Sequence, residues 1–327
     1  MVAMQPVSEL LASITLETPE GLKVEVLPFG ATIKSIHVKD QCVTLQYPEV
    51  SAYLTNPFYL GSTIGRYANR IANGRCNLNG KVITIDKGSL LHALHGGVPG
   101  FSHRLWRYQQ NTPSQCTLHY CSPYGESGFP GELEVCLTIT LSGLSVELQY
   151  WAQSTADTLV NLTNHCYFNL HGQHSDATDH QLKIAAAHYL PCSAQGIPTG
   201  EIRAVALSPF DFRKQVIIAK QLCISSPDLA AVNGFDHYFV FAKKRDTSLP
   251  VVELYSAKSG ISLALYTSQE GVQFYAGNFL DSPFAARTGL CFEAQHWPDA
   301  PNHSHFPQSI LKAGETYQQF IRYQFSL

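Results

Sequence analysis

The chain has 327 residues, which is enough for two average domains or for one large all-β domain. Charged residues make up 14% of it, well below the usual quarter, and the formal net charge is -3 with no run of like charges. This composition argues against a surface built to bind nucleic acid or an anionic membrane.

The nine cysteines are scattered singly between Cys42 and Cys291, without paired spacings and in an odd total. This pattern predicts reduced thiols in a cytoplasmic protein. Residues 1–14 lack a basic start followed by an apolar stretch, so no signal peptide is expected. No uninterrupted apolar stretch is long enough to span a bilayer, and no membrane partner is expected.

In chain order, β-rich segments predict strands at residues 22–38, 116–122, 133–152, 180–187, 237–241, 272–275 and 317–325. Three turn pairs predict hairpins: Asn79-Gly80, Ser142-Gly143 and Ser259-Gly260. The best helix signal is short and runs from Ser226 to Ala231. Because no repeat or linker marks a boundary, the sequence predicts one domain over residues 1–327, an all-β fold built as a large antiparallel β-sandwich.

Polar residues cluster at the predicted loops and strand ends. An arginine side chain has several donors in a fixed fork, and glycines beside a histidine let the backbone approach a ligand closely. Donors and acceptors suit the hydroxyls of a neutral sugar, while aromatic rings suit its C–H face. Residues of these types stand in the blocks at 65–74, 94–97, 234–237 and 271–278.

Two titratable residues lie in apolar and amide-rich blocks. His165 stands in Asn-His-Cys-Tyr-Phe-Asn, and Glu293 follows Leu-Cys-Phe. Burial in such surroundings shifts pKa values toward a proton-transfer role. A histidine and a carboxylate on opposite sides of one pocket would suffice to open and close a hemiacetal ring.

Taken together, these blocks resemble the aldose 1-epimerase (galactose mutarotase) family, from Pro28-Phe29-Gly30-Ala31 to Asp299-Ala300-Pro301-Asn302. The resemblance implies a galactose-mutarotase-like β-sandwich, no cofactor, and interconversion of the α and β anomers of free aldoses. It assigns His165 as general acid, Glu293 as general base, and Asn69, Arg70, His95, Asp236 and Gln273 as sugar-binding residues. The chain departs from the family pattern at His92, where Asn is frequent.

In the expected mechanism, the Glu293 carboxylate takes the proton of the anomeric hydroxyl while protonated His165 protonates the ring oxygen. Rotation about C1–C2 and reclosure give the other anomer. His95 and Arg70 stabilise charge on sugar oxygens, so His95 is also a candidate catalytic residue. The expected partner is a small aldose, and the expected assembly is a monomer or a homodimer.

Other interpretations remain open. A carbohydrate-binding sandwich without catalysis would use the same polar lining, and a mutarotase for phosphorylated sugars would need more Arg or Lys. Arg66 suits the site or a supporting ion pair equally. His180 and His237 are expected to be structural, and Phe274, Tyr275 and Phe292 to belong to the core. The spacings of His171, His174, His303 and His305 lack a partner cluster, so no metal is expected.

Overall fold

The computed structural model describes residues 11–173 and 175–327 of the chain. In chain order its strands are β1 Ile14–Glu17, β2 Leu22–Leu27, β3 Thr32–Val38, β4 Gln41–Cys42, β5 Thr63–Ile64, β6 Arg70–Ile71, β7 Arg75–Leu78, β8 Lys81–Thr84, β9 Ala93–Leu94, β10 Arg107–Thr112, β11 Gln115–Ser122, β12 Leu133–Ser142, β13 Ser145–Ser154, β14 Thr158–Leu159, β15 Thr163–Asn164, β16 Tyr167–Phe168, β17 Gln181–Ile184, β18 Ala186–Leu190, β19 Arg203–Ala204, β20 Val216–Ile217, β21 Asp236–Phe241, β22 Val252–Tyr255, β23 Ser262–Thr267, β24 Gly271–Tyr275, β25 Leu290–Gln295, β26 Ile310–Leu311 and β27 Thr316–Ser326.

Helices contribute little to the structure. The α-helices α1 Ile218–Leu222 and α2 Pro227–Ala231 have five residues each. Short 3₁₀ helices lie at Val50–Leu54, Ala72–Gly74, Phe101–His103, Glu126–Gly128 and Ala300–Asn302. Within residues 11–173 and 175–327, no helix is both long enough and apolar enough to cross a bilayer.

Three larger sheets form the body of the molecule. The nine-stranded sheet has the order β10-β11-β12-β13-β27-β23-β22-β17-β20, the six-stranded sheet β16-β25-β24-β21-β18-β19, and the four-stranded sheet β1-β2-β3-β4. The pairings between these strands are antiparallel. The predicted antiparallel all-β architecture is confirmed.

One apolar core joins the sheets because their strands alternate buried and more exposed side chains. In β12, every second residue from Leu133 to Leu141 is buried. The same core takes Val24 from the four-stranded sheet and Phe274 from the six-stranded sheet. Sheets that share an apolar interior in this way form a sandwich.

The predicted turns are confirmed. Ser142-Gly143 connects β12 to β13, Asn79-Gly80 connects β7 to β8, and Ser259-Gly260 lies between β22 and β23. The predicted short helix is present as α2.

The segment predicted as one strand at residues 22–38 is divided in two. Residues 28–31 form a turn between β2 and β3, in which Gly30 and Ala31 have positive φ angles of 70° and 42°. A side chain at position 30 would meet the carbonyl oxygen of Ser102 at 2.6 Å. Close packing against this carbonyl therefore excludes every larger residue from position 30.

The segment predicted as one strand at residues 180–187 is also divided, and its halves join different sheets. β17 pairs with β22 in the nine-stranded sheet, whereas β18 pairs with β21 in the six-stranded sheet. The intervening residue, Ala185, donates its N–H to Val251 O at 2.8 Å. A pattern of β-forming residues cannot reveal such a change of sheet, because each half keeps an ordinary strand sequence.

Candidate active site

Neighbouring strands of the six-stranded sheet bring three of the predicted residues together. Gln273 on β24 lies directly opposite Glu293 on β25, and Asp236 begins the next strand, β21. Gln273 Nε2 donates a hydrogen bond to Asp236 Oδ1 at 2.7 Å. The sheet register therefore places two carboxylates and one amide at a single location, although these residues are far apart in sequence.

His165 reaches the same location from the loop between β15 and β16. Its backbone is fixed on both sides, because its N–H donates to Ser62 O and its carbonyl accepts from Gly61 N, each at 3.0 Å. Its imidazole Nε2 lies 3.7 Å from Glu293 Oε1. This distance is too long for a hydrogen bond, so the two groups face each other without satisfying each other.

Burial dominates the proton affinities of this pair. Glu293 is 2% exposed and His165 is 5% exposed. Loss of hydration raises the pKa of Glu293 well above 4.5 and lowers the pKa of His165 to about 4. Burial therefore favours the arrangement in which the carboxyl group holds the proton and the imidazole is neutral.

Nearby charges act in part against this burial effect. Arg70 lowers the pKa of Glu293, and Asp236 raises the pKa of His165, although Asp236 also raises that of Glu293. Arg70 and Asp236 face each other, with Nη1 and Oδ2 3.9 Å apart. The guanidinium favours an ionised Glu293, and the Asp236 carboxylate favours a protonated His165.

His95 is held as a neutral donor. The backbone N–H of Asn69 donates to His95 Nδ1 at 3.2 Å, so the ring proton belongs on Nε2. Burial, followed by the nearby charges of His165 and Arg70, lowers the pKa of His95 well below 6.5. The ring packs edge-on against that of His165, with centroids 5.2 Å apart.

The loop that carries His95 requires the glycine that follows it. His95 has a positive φ of 52°, and Gly96 has a φ of 90°. A side chain at position 96 would lie 1.8 Å from the carbonyl oxygen of Gly65, so no other residue fits there. The glycines beside His95 thus serve close backbone packing within the protein.

Arg70 and Asn69 reach the cavity from a segment outside the six-stranded sheet. Arg70 begins the two-residue strand β6, which pairs with β9 just ahead of His95. Asn69 has a positive φ of 68°, and its Oδ1 accepts the N–H of Arg70 at 2.8 Å. The asparagine side chain therefore shapes the turn that presents the guanidinium.

These residues surround one cavity of about 290 Å³. Gln273 stands behind its wall, bonded to Asp236. The cavity therefore unites the predicted catalytic residues with four of the five predicted binding residues. Its lining is Pro57, Phe58, Tyr59, Asn69, Arg70, Leu94, His95, His165, Tyr167, Asp236, Tyr275, Phe279 and Glu293.

Most of the aromatic lining escaped the sequence analysis. Tyr59 packs on His95 with ring centroids 4.6 Å apart, and Phe279 is 59% exposed at the cavity. Tyr275, predicted as a core residue, packs partly on the core and also lines the cavity. Phe274 and Phe292 are buried in the core, as predicted. Phe58 both lines the cavity and packs against the core, so no local sequence signal distinguished the lining rings.

Several other candidates lie elsewhere. Arg66 is buried outside the cavity, where its guanidinium donates to Ser122 and to the carbonyls of residues 122, 123, 130 and 131. His92 accepts the N–H of Asn73 at 2.9 Å and is not among the described lining residues. His237 is buried, as expected of a structural residue, and accepts the N–H of Asp236.

Two histidine-containing groups in the described ranges have ligand atoms close enough for a metal ion. One is His95, His165 and Glu293, and the other is His171, Asp179 and His180. In the second group, His180 Nε2 accepts the N–H of Leu170 and Nδ1 donates to the carbonyl of Ala177. Both of its nitrogens are thus occupied.

The two histidines that follow Asn302 have different surroundings. His305 Nε2 bonds the carbonyl of Gly200 at 2.8 Å. His303 Nε2 is buried without a hydrogen-bond partner among the described residues and lies 3.5 Å from Asp299 Oδ2. His174 lies outside the described residues.

Comparison with known proteins places this cavity in a family context. Residues 12–324 match the family model described as aldose 1-epimerase. The galactose mutarotase of Sus scrofa is 40% identical over 94% of this chain and 92% of its own, and the aldose 1-epimerase of Escherichia coli K12 is 35% identical over 99% and 97%. A galactose 1-epimerase structure from Lactobacillus acidophilus superposes with a TM-score of 0.88 at 26% identity, covering 96% of this chain and 94% of that one. The chain belongs to the aldose 1-epimerase family.

Proposed function

We propose that the chain is an isomerase that interconverts the α and β anomers of free aldoses such as galactose or glucose, acting as one domain. The observation that carries this proposal is the facing pair of His165 Nε2 and Glu293 Oε1, 3.7 Å apart at the wall of a sugar-sized polar cavity. Two proton-exchanging groups so placed can serve the ring oxygen and the anomeric hydroxyl of one pyranose.

Ring opening requires the single proton of this pair to lie on His165 when the sugar is attacked. The neutral pair and the ion pair hold the same number of protons, so the change is a transfer from Glu293 to His165. Arg70 favours the carboxylate and Asp236 favours the imidazolium. A hydroxyl of the bound sugar between the two groups would provide the path for the proton.

From the ion pair, the Glu293 carboxylate removes the proton of the anomeric hydroxyl, and His165 protonates the ring oxygen. The C1–O5 bond breaks, and C1 becomes the open-chain aldehyde. Rotation about C1–C2 presents the other carbonyl face, and reversal of both transfers closes the ring as the other anomer. The Nε2–H of His95 donates to a sugar oxygen on which negative charge develops. Each proton transfer contributes roughly 10²–10⁴-fold.

Acceptors without protein partners support binding of a polyol. Glu293 Oε2 and Gln273 Oε1 are buried and have no hydrogen-bond partner among the described residues. Buried acceptors without donors cost stability, so a ligand hydroxyl that reaches Glu293 Oε2 at the cavity contributes binding energy. Tyr59 and Phe279 offer rings for the C–H face of the sugar.

The lining favours neutral sugars over phosphorylated ones. Arg70 is the one Lys or Arg among the described lining residues, and its guanidinium already faces Asp236. A phosphate group would need further cationic donors. A purely binding sandwich would gain nothing from burying His165 and Glu293 as a pair, because burial of titratable groups is costly.

Polarimetry on freshly dissolved α-galactose, α-glucose, α-xylose and galactose 6-phosphate tests the proposal. We expect accelerated approach to anomeric equilibrium for the free sugars and little acceleration for the phosphate ester. Binding without acceleration would support the non-catalytic interpretation, and preference for the ester would support the phosphorylated-sugar interpretation.

Asp236→Asn is expected to blur discrimination between sugars that differ at one hydroxyl. The carboxylate faces Arg70 and accepts from Gln273, so it is placed to pair with sugar hydroxyls away from C1. We expect kcat/KM to fall by about tenfold for a hexose that makes the contact, and less for a sugar that lacks the group. Polarimetry on glucose, galactose, xylose and a deoxy analogue measures this. Asp157→Asn, distant from the cavity, is the control, and equal losses on all four sugars would show that Asp236 orients protein groups only.

Prolonged treatment with a chelator is expected to leave the activity intact, since the proposed reaction uses no metal or other cofactor. The histidines that could ligate a metal outside the cavity bond to the protein, as His180 does with both nitrogens. Polarimetry before and after dialysis against EDTA measures this. Loss of activity that added Zn²⁺ restores would overturn the expectation.

All nine cysteines are free thiols in the structure. We therefore propose a reducing, cytoplasmic location, in which such thiols persist. We further propose that the small aldose is the functional partner and that the chain works as a monomer or a homodimer, which sedimentation analysis distinguishes.

A further inference from the structure

The segment that follows β25 is fastened to the segment that carries Arg70. The hydroxyl of Tyr67 donates to the carbonyl of Trp297 at 2.9 Å and accepts the N–H of Ala300 at 3.2 Å. β25 carries Glu293, the proposed base. These bonds therefore join the segment that bears the base to the segment that bears the guanidinium of Arg70.

Asp299 is the central residue of this connection. Its backbone N–H donates to the carbonyl of Arg70 at 3.0 Å, and its Oδ1 accepts the N–H of Ala72 at 2.9 Å. The same oxygen accepts Asn302 Nδ2 at 2.6 Å, and the residue is 2% exposed. Asp299 thus bonds to the backbone at Arg70 and again two residues later.

The other supports of the Arg70 backbone are local. β6 has only two residues and pairs with the equally short β9, and Asn69 Oδ1 accepts the N–H of Arg70. The guanidinium itself lies against Gly196, where an added Cβ would be 2.7 Å from Arg70 Cζ, and 3.9 Å from Asp236. The position of the charged group therefore depends on how the backbone of Arg70 is held.

We propose that Asp299 is a positioning residue for sugar binding: its carboxylate and backbone N–H hold the Arg70 turn so that the guanidinium meets the sugar. Asp299 does not line the cavity and touches no reacting atom. The inference rests on the proposed function of the cavity. It predicts that Asp299 affects KM and the affinity for sugar more than kcat, because the guanidinium would bond to the sugar directly, whereas it acts on Glu293 through its charge, which a small shift changes little.

The test compares Asp299→Ala and Asp299→Asn with the parent by steady-state polarimetry and by calorimetric titration with galactose. A shift of about 1 Å in a binding group is sufficient to cause large losses, so we expect Asp299→Ala to raise KM and Kd about tenfold, with kcat within about threefold. Asparagine keeps the acceptor for Ala72 N–H, and Asp299→Asn should restore near-parental KM.

Two further variants separate positioning from general stability. Asp157 has the same pattern far from the site, accepting Ala313 N–H and Asn79 Nδ2, so Asp157→Ala should lower the melting temperature without raising KM. If Asp299→Ala does not fold, the exposed Asn302→Ala removes one donor to the same carboxylate and should raise KM about threefold.

A double-mutant cycle with Arg70→Lys shows whether Asp299 acts through Arg70. We expect the effects on KM to be strongly non-additive. If Asp299 acts by positioning the guanidinium of Arg70, replacing Asp299 should have little further effect once that guanidinium has been removed. Additive effects, or a folded Asp299→Ala with parental KM and Kd, would overturn the inference.

The outcome can be separated from that of the proposed function. A parent that binds galactose without mutarotation would refute the function, while the ratio of Kd values would still test Asp299. A parent that neither binds nor isomerises any of the sugars would refute both.

Discussion

Replacement of Glu293 by glutamine is expected to lower kcat by about a hundredfold or more. The amide keeps the size of the side chain, but it cannot take the proton of the anomeric hydroxyl. The carboxyl group lies 3.7 Å from His165 in the cavity. Asp236 is the one other acidic residue among the described lining residues. Polarimetry under saturating galactose measures the loss. Turnover within about threefold of the parent would remove Glu293 from the mechanism.

The same substitution should not destabilise the fold at neutral pH. Burial raises the pKa of Glu293 well above 4.5, so unfolding at a pH between the unfolded and folded pKa values releases a proton that the folded protein retains. The carboxyl group therefore stabilises the folded state less as the pH rises through this interval, whereas a glutamine does not titrate. We expect Glu293→Gln to melt at or above the parent at pH 7, with a smaller difference at pH 4. Glu253→Gln, on the surface, is the control for both measurements.

Replacement of His165 by alanine is expected to lower kcat by about a hundredfold or more as well, because the ring oxygen then loses its proton donor. The buried His180 offers a matched control, because it lies outside the cavity lining and forms hydrogen bonds with the backbone of Leu170 and Ala177. His180→Ala should lower the melting temperature and leave kcat near the parental value. A His165→Ala enzyme with parental turnover would exclude the residue as general acid.

The pH profile gives this prediction a second readout. The mechanism needs one proton on the pair, and a second proton is added when His165, with a pKa of about 4, is protonated beside a protonated Glu293. We expect kcat/KM to be lost as the pH falls through about 4 and to fall again at high pH, once the pair has lost its last proton. Both pH limits are properties of the coupled His165–Glu293 pair. Replacing either residue should therefore change the acidic side of the kcat/KM profile.

Much of the fold follows from local sequence signals. Asn79-Gly80 and Ser142-Gly143 each fix a hairpin, because turn chemistry acts within a few residues. The change of sheet at Ala185 could not be predicted in this way. The partner of β17 is β22 at residues 252–255 and that of β18 is β21 at residues 236–241, both far along the chain.

The residues of the site can also be divided into those that local sequence predicts and those that it does not. His165 and Glu293 were predictable because titratable groups inside apolar blocks need a reason for burial. Tyr59 and Phe279 were not, since a ring that lines a cavity and a ring that packs in a core have the same local sequence. The support that Asp299 gives to Arg70 depends on backbone bonds between segments more than 200 residues apart, and no sequence pattern records such bonds.

The crossing at Ala185 has a mechanical consequence for the site. Because β17 and β18 are consecutive and lie in different sheets, one short covalent segment ties the two layers of the sandwich together. Sliding of one layer over the other would strain that segment and break the ladder on at least one side. Asp236, Tyr275 and Glu293 reach the cavity from the six-stranded layer, so this wall should hardly move when the cavity fills or empties. With this wall rigid, conformational change is confined to the exposed ring of Phe279 and its loop. Movement of that loop would then set the rates at which the sugar enters and leaves.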